Sequence, residues 1–479
     1  MSPSRFRRLV DIDANPRLVL FAQSAGGRAV LLILFSGLLI ARLLPPDAVA
    51  QISVTLALMT FWPRQRRLWL LLGTLAWTLR LERVAWPVLA ARAEALGEPL
   101  VLPQPAMQIG GLGLVLLFGL ALVWLVRRHP RAPLLRRPLL LLLLVTGGLL
   151  VAAADLHLPP AVALGLWAAV LPLLSYLWFI GYALLDRRAP AAGAGGHLLQ
   201  LGHWQPFWGG GTPTPFPKGA AYLRQIEARD AEQLAVTQLK GLKLLWWALL
   251  LTGLLGAMNL LAKRLPIADM DGALAACAAG RALSPAAAWA AVVFNFFHTL
   301  LELSIWGHTV IAICRMAGFR ALRNTYKPLQ ATSIAEFWNR YYYYFKELLV
   351  EFFFYPVYFR LFKGHPRLRL FCATLAAAGL GNILYHFLAL PAEVARHGTL
   401  VALGRMHVYM VYGLALGCAI GLSQLRSRER LAGSHWLRRR VAAPAGVLGF
   451  YCLLSIFYVP YQSTDLRLNL DLLLSLVGL

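Results

Sequence analysis

Apolar runs long enough to cross a lipid bilayer recur from one end of this chain to the other, and they constrain its fold more than any other feature. An α-helix needs roughly 20 residues to cross about 30 Å of hydrocarbon. Only 14% of the residues are charged, against the roughly one quarter typical of soluble domains. The runs lack the alternation of β-barrel strands, and helices satisfy their own backbone hydrogen bonds in lipid. We therefore predict an all-α polytopic integral membrane protein.

The apolar runs also suggest how the chain is organised. We predict spans near residues 29–44, 48–62, 68–89, 107–126, 139–154, 161–185, 241–261, 286–314, 370–390, 400–424 and 446–458. A polar connection rich in Gly and Pro separates the sixth span from the seventh and is too broken for one helix. This gives four predicted parts: an N-terminal bundle at 1–190, the connection at 191–240, a core at 241–425, and a basic loop, last span and tail at 426–479.

The net charge of +25 is concentrated at the ends of the apolar runs. That distribution follows the positive-inside rule for membrane proteins, so we predict no nucleic-acid partner. The basic loops share one side only if residues 319–362 enter the membrane region and return as re-entrant or interfacial helices. The expected topology is about eleven crossings with a cytoplasmic N-terminus. The composition is typical of a bacterial protein of the cytoplasmic (inner) membrane.

Common catalytic and metal-binding motifs are missing from the sequence. The five cysteines are scattered without a CxxC pair, so they predict neither a zinc site nor a disulfide framework. There is no GxSxG, Walker A or dinucleotide-binding motif in a suitable context. We therefore expect no metal and no tightly bound cofactor.

Two pairs of ionisable residues stand out near apolar segments, where charge is costly. His298 and Glu302 are four residues apart and share a helix face, a spacing that fits a hydrogen-bonded structural pair better than a metal site. Glu336 and Arg340 have the same spacing in ATSIAEFWNRYYYYF, where the four tyrosines would be spread around one helix. Those tyrosines fit either an interfacial aromatic belt or the wall of a wet tunnel.

A lone histidine, His386, lies within the span GLGNILYHFLAL, close to Asn382 and Tyr385. A neutral imidazole can take a proton from a hydroxyl, which makes histidine the commonest general base. Taken alone, a histidine within a span is more often a hydrogen-bonded structural group than a base. Arg405 and His407 on the next span are its expected neighbours.

The order of these segments resembles the membrane-bound O-acyltransferase (MBOAT) family, especially bacterial members that acetylate polysaccharides. The resemblance covers about residues 207–421, and its most specific part is MAGFRALRNTYKPLQATSIAEFW, which is similar to the family's "GF" turn and "ATSISEFWRRWH" signature. PFPKGAAYLRQ and LKGLKLLWWALLL are similar to the preceding loop and span.

The resemblance implies that His386, at the position of the family's invariant histidine, is the catalytic base. Tyr342 is the second catalytic candidate. The candidates for substrate binding are Asn339, Arg340, Glu336, Asn382, Tyr385, His298 and Glu302. The implied donor is acyl-CoA or an acyl-carrier thioester, and the acceptor is a hydroxyl of a glycan, a lipid or a small secreted molecule. Membrane lipids and an envelope-pathway protein are the other expected partners.

The chain departs from the family signature at the residues that matter for chemistry. Tyr341 and Tyr342 replace its Trp-His pair, and Asn295 replaces an Asp. These changes keep open an alternative from another class, a non-catalytic MBOAT-like transporter or envelope-assembly subunit. Transfer of a non-acyl group is a third hypothesis, but the paired acidic residues of many such enzymes are not apparent.

Overall fold

The computed structural model is helical throughout the part of the chain that it describes. It describes residues 11–80, 84–100, 103–129, 131–135, 137–186, 199, 201–204, 206–209, 212–281, 283–426, 436–459 and 465–479. In these residues the β-structure is limited to one isolated bridge, between Glu227 and Phe319. The predicted all-α class is therefore confirmed.

The helices follow the apolar runs. In chain order they are α1 (Pro16–Gln23), α2 (Ala25–Ala41), α3 (Pro46–Phe61), α4 (Arg66–Arg80), α5 (Trp86–Leu96), α6 (Gln104–Arg128), α7 (Pro138–Asp155), α8 (Pro160–Leu185), α9 (Ala220–Ile226), α10 (Ala231–Arg264), α11 (Met270–Ala278), α12 (Pro285–Met316), α13 (Ile334–Tyr341), α14 (Tyr343–Leu349), α15 (Tyr355–Tyr358), α16 (Pro366–Thr374), α17 (Asn382–Phe387), α18 (Pro391–His397), α19 (Thr399–Arg405), α20 (His407–Leu425), α21 (Ala443–Ser455) and α22 (Leu466–Ser475). Three π-helical segments (Val350–Phe354, Leu375–Gly381 and Arg438–Ala442) join some of them, and the 3₁₀ turns are Ile12–Ala14, Pro63–Gln65 and Pro328–Gln330.

Seven helical stretches in the described residues are long and apolar enough to span a membrane. They are Gln104–Val126, Pro138–Asp155, Pro160–Leu185, Ala231–Arg264, Pro285–Met316, Pro366–Phe387 and His407–Leu425. Counting α1 and α2, which meet at 99°, as one span raises the number to eight. The chain is therefore a membrane protein, as the apolar runs predicted.

Three local predictions differ from the structure. The span predicted at 68–89 is divided between α4 and α5, with the charged residues 81–83 between them outside the described residues. The helix predicted to begin near residue 241 begins at Ala231, because the stretch AEQLAVTQLK contains good helix formers and no breaker. The tyrosine run does not lie on one helix, because α13 ends at Tyr341 and α14 begins at Tyr343.

The chain forms two compact units. Unit 1 comprises Met1–Leu249, Trp306–Arg323 and Pro391–Thr399, and unit 2 comprises Leu250–Ile305, Asn324–Leu390 and Leu400–Leu479. His386 and the other predicted site residues belong to unit 2. The part boundaries at 190, 240 and 425 remain predictions.

Glycines bring two helical segments of unit 2 unusually close together. A Cβ on Gly417 of α20 would lie 2.9 Å from the backbone nitrogen of Gly379, and a Cβ on Gly413 would lie 2.8 Å from the Ile383 side chain. Only glycine permits backbones to approach in this way. This contact fixes α20 against the segment that carries His386.

Candidate active site

The helix that carries His386 is not a regular α-helix. It runs from α16 through the π-helical segment Leu375–Gly381 into α17, where His386 lies in the last turn. π-Helical turns are rare and often occur at functional sites. The Ala- and Gly-rich sequence LAAAGLG supplies small side chains at the turn, so this irregular backbone packs closely against α20.

His386 is buried, with 7% of its surface exposed, and aromatic rings surround it. The ring of Tyr409 on α20 lies against it, with its centroid 4.8 Å from that of the imidazole and an interplanar angle of 60°. Further ring contacts include those with Tyr385 at 5.2 Å, Phe345 at 6.1 Å and Tyr458 at 6.4 Å. We call these residues the His386 cluster. They hold the imidazole in a defined orientation.

Asn382 lies one helical turn before His386 and is also buried. Its Oδ1 accepts a hydrogen bond of 3.1 Å from the Tyr409 hydroxyl. Because Tyr409 contacts both Asn382 and His386, this bond fixes the ring that lies against the imidazole. A buried polar group that kept no partner would cost about 1–3 kcal/mol, so the pair also stabilises unit 2.

Tyr342, the second predicted catalytic residue, lies at the break between α13 and α14. Its ring is 5.2 Å from that of Phe345, and Phe345 in turn contacts both Tyr385 and His386. Tyr342 and His386 therefore both contact the ring of Phe345. Three of the predicted residues, Tyr342, Tyr385 and His386, share that ring as a contact.

The loop that precedes α13 stabilises the break between α13 and α14. The backbone N–H of Tyr343 donates to the Asn324 carbonyl at 2.9 Å, and the N–H of Tyr344 donates to Asn324 Oδ1 at 3.2 Å. The Thr325 hydroxyl donates to the Tyr341 carbonyl at 2.8 Å. Because the loop takes over these backbone groups, α13 and α14 can end and begin around Tyr342 without leaving them unpaired.

The Glu336–Arg340 pair has a structural role at the start of α13. Ser333 caps the helix by accepting from the Glu336 N–H, and Glu336 Oε2 accepts from both the N–H and the hydroxyl of Thr332 at 2.8 Å. Arg340 donates to Glu336 Oε1 at 2.7 Å and to the Lys327 carbonyl at 3.2 Å. Partial burial alone would raise the pKa of Glu336, but the Thr332 hydrogen bonds and the Arg340 charge outweigh it, and the pKa is lowered. Asn339 is exposed on the same helix.

The predicted His298–Glu302 pair forms on α12, with 3.4 Å between His298 Nδ1 and Glu302 Oε2. The Glu302 side chain is 58% exposed, and the His298 ring lies 5.6 Å from that of Phe294. Burial is the main cause that raises the pKa of the Tyr341 phenol, and the Glu302 carboxylate acts in the same direction. The pair therefore lies within electrostatic reach of the tyrosine run. No group of three metal-ligating side chains occurs in the described part of the chain.

The structure adds residues that the sequence did not single out. Tyr409, rather than the expected His407, lies against His386; the His407 ring is exposed, with Nδ1 3.1 Å from the Gly404 carbonyl oxygen. Tyr412 stacks on Tyr409 at 5.2 Å, and Tyr458 contacts both. The spacing of Tyr409 and Tyr412 in HVYMVYG places them on one helix face, and this was the available signal.

The His386 cluster has the components of a proton-transfer site. It contains one buried imidazole, three phenols and the ring of Phe345, and the buried amide of Asn382 is hydrogen-bonded to one of those phenols. Such a site can remove a proton from a hydroxyl and can donate hydrogen bonds to a developing oxyanion. No protein-family model and no curated protein sequence matches this chain.

Proposed function

We propose that this protein is a membrane-embedded O-acyltransferase of the MBOAT type. It moves an acyl group, with acetyl as the first candidate, from a thioester donor to a hydroxyl of a glycan, a lipid or a small secreted molecule. The observation that carries the proposal is the contact of both Tyr342 and His386 with Phe345, because it joins the signature-like segment to the lone buried histidine.

The proposed reaction needs no cofactor beyond the thioester donor, acyl-CoA or an acyl carrier. His386 accepts the proton of the acceptor hydroxyl while the hydroxyl oxygen attacks the thioester carbonyl carbon. The resulting oxyanion collapses, the carbon–sulfur bond breaks, and the thiolate leaves. The thiolate then receives the proton from the His386 imidazolium, so the base returns to its neutral form.

The surroundings of His386 support this chemistry in two ways. The Phe345 and Tyr409 rings fix the plane of the imidazole, which maintains the geometry for proton transfer. Burial among aromatic rings excludes the water that would hydrolyse the thioester. We assign to the Tyr342 hydroxyl the role of a donor to the oxyanion, where the family signature has a histidine or an asparagine.

The proposed setting is the inner membrane of a bacterium, with a cytoplasmic N-terminus and about eleven crossings. The segment at 319–362 would then be re-entrant or interfacial, which agrees with its short helices α13, α14 and α15. The thioester would arrive from the cytoplasm and the acceptor from the opposite side. An envelope-pathway protein that presents or removes the acceptor is the proposed protein partner.

The test measures acyl transfer in membranes that contain the full-length protein. Membrane vesicles receive radiolabelled acetyl-CoA, and label in glycan and lipid fractions is counted. Removing a general base typically lowers the rate by 10²–10⁴, so His386→Ala should lose at least about a hundredfold. His365→Ala, at an exposed position, is the control. Undiminished transfer by His386→Ala would refute the assignment of the base.

A second candidate function is a non-catalytic MBOAT-like transporter or envelope-assembly subunit. The His298–Glu302 pair favours it, because an ionisable pair inside a long apolar helix is typical of ion and proton pathways. The two functions give opposite results in cells. If the protein is an acyltransferase, His386→Ala abolishes the acylated product. If it is a transporter, His386→Ala leaves transport unchanged and Glu302→Gln abolishes it.

A further inference from the structure

Unit 1 contains a basic cleft that the proposed reaction does not use. The cleft has a volume of about 560 Å³. Its lining includes six arginines, Arg28, Arg64, Arg66, Arg67, Arg224 and Arg229. Two acidic residues, Glu227 and Asp230, also line it. The cleft therefore carries a formal excess of four positive charges within a space the size of a small-molecule site.

Three segments that are distant in sequence build the cleft. Arg28 comes from the first turn of α2, residues 63–67 form the turn into α4, and residues 224–231 connect α9 to α10. The connection is fixed in place by residues 318–320: the Ala228 N–H donates to the Gly318 carbonyl at 2.9 Å, and the Arg320 N–H donates to the Ile226 carbonyl at 2.8 Å. Backbone hydrogen bonds therefore hold the shape of the cleft. Its arginines come from three segments rather than from one loop.

Arg66 is the unusual member of this group, because only 3% of it is exposed. Its Nη1 donates to the Ala228 carbonyl at 2.9 Å, and its Nε is buried without a hydrogen-bond partner among the described residues. Its guanidinium packs against Gly318, where an added Cβ would lie 2.8 Å from Cζ. A buried charge with an unfilled donor is costly unless an anion pairs with it.

The acidic residue nearest to Arg66 is already engaged. Glu227 Oε2 accepts from Arg67 Nη2 at 2.9 Å and from Arg67 Nε at 3.1 Å, whereas Glu227 Oε1 is 3.8 Å from Arg66 Nη1. One carboxylate is therefore shared by two guanidinium groups. Burial lowers the pKa of Arg66, Glu227 opposes that shift, and the charges of Arg28 and Arg67 add to it. The positive charges around Arg66 therefore outnumber the negative ones.

We propose that this cleft binds a phosphate-bearing anion through Arg66 and the arginines around it. Guanidinium groups match phosphate oxygens with paired hydrogen bonds, and several of them around one space suit a diphosphate or a phosphodiester headgroup better than a single carboxylate. Two sources have this chemistry, the headgroup of an anionic phospholipid and a soluble diphosphate. The proposal stands independently of the acyltransferase function.

The experiment uses the full-length protein in lipid nanodiscs and two probes. In the first arm, inorganic pyrophosphate is titrated into protein in phosphatidylcholine nanodiscs, and binding is measured by calorimetry. In the second arm, the protein is purified from mixed phosphatidylcholine and phosphatidylglycerol, and the retained phosphatidylglycerol is quantified by mass spectrometry. The test variant is Arg64→Gln with Arg229→Gln, two exposed cleft positions. The matched control is Arg396→Gln with Arg467→Gln, whose side chains are 71% and 81% exposed.

A charge-assisted hydrogen bond contributes about 1.5–3 kcal/mol, so the cleft variant should bind at least about tenfold more weakly. Loss of pyrophosphate affinity in that variant, with less than about a twofold change in the control, identifies a soluble diphosphate site. Loss of retained phosphatidylglycerol with the same pattern identifies a lipid headgroup site. If neither probe binds saturably, or if the cleft and control variants weaken binding equally, the proposal is wrong. Thermal unfolding of each variant confirms that it is folded.

Discussion

Replacing His203 with glutamine should make the protein less sensitive to mild acid. His203 is fully buried, with its Nε2 3.0 Å from the Pro217 carbonyl oxygen. Its ring contacts those of Phe179 and Tyr182 on α8. Burial is the main cause that lowers the pKa of His203 from 6.5 to about 4, and the hydrogen bond to Pro217 opposes the shift. His203 is therefore protonated less readily in the folded protein than in the unfolded chain.

The sign and size of the effect follow from that shift. Between pH 6.5 and about pH 4 the unfolded chain binds the proton and the folded protein does not, so the free energy of unfolding falls as the pH falls. The full stability is present above pH 6.5, and the loss is complete below about pH 4. At about 1.4 kcal/mol for each pH unit, the total loss is roughly 3 kcal/mol.

The assay is unfolding by SDS in mixed micelles at a series of pH values. Carboxylates also titrate in this range, so the informative quantity is the difference between wild-type protein and His203→Gln. Glutamine can still donate to the Pro217 carbonyl but does not titrate near neutral pH. His365→Gln, at an exposed position, controls for the loss of an imidazole. Parallel pH profiles for wild type and His203→Gln would refute the reasoning.

Three further substitutions should lower the free energy of unfolding, measured in the same assay. Gly318→Ala should cost roughly 2 kcal/mol or more, because Gly318 has φ of +92° and the added Cβ would lie 2.8 Å from Arg66 Cζ. Tyr409→Phe should cost about 1–2 kcal/mol, because it leaves the buried Asn382 Oδ1 without its 3.1 Å hydrogen bond. Ser333→Ala should cost about 1 kcal/mol through loss of the cap of α13.

Each of these substitutions has a matched comparison. Gly97→Ala carries the backbone strain alone, since Gly97 has φ of +68° and open space around it, so a cost equal to that of Gly318→Ala would contradict the proposed clash. Tyr355→Phe removes the hydroxyl of an exposed tyrosine and should change stability less than Tyr409→Phe does. Ser333→Gly should cost only a few tenths of a kcal/mol. A larger cost than that of Ser333→Ala would argue against the capping role.

The long helices could be predicted from the sequence because their pattern is local. The span predicted at 286–314 corresponds to α12, since it consists of apolar residues and good helix formers without an internal proline. The break in the tyrosine run could not be predicted in the same way. It depends on hydrogen bonds that Asn324 accepts and Thr325 donates, and these two residues lie 16–20 residues earlier in the chain. A distant loop thus overrides the local helix propensity of these residues.

The neighbours of His386 show a second limit of sequence reasoning. Asn382 and Tyr385 were predicted correctly to lie near it, because a regular helix places them within one turn. The expectation of His407 was wrong and Tyr409 was missed, because the facing residue depends on the rotation of α20 about its axis. That rotation is fixed by the close approach of Gly379 and Gly417, which requires knowledge of both helices.

The π-helical segment Leu375–Gly381 has a consequence for how this helix can change. A π turn contains one residue more than an α turn, and one residue corresponds to about 100° of helix rotation. Deleting a single residue there would let the helix close into regular α geometry while keeping every side chain of the His386 cluster in the chain. Because the wider π turn is what accommodates the extra residue, the helix beyond the deletion would keep nearly its present rotation, and the imidazole would keep its direction. Conversion of this seven-residue stretch to α geometry without a deletion would instead turn His386 by about 100° relative to the first half of the helix. The π geometry therefore sets the direction of the base.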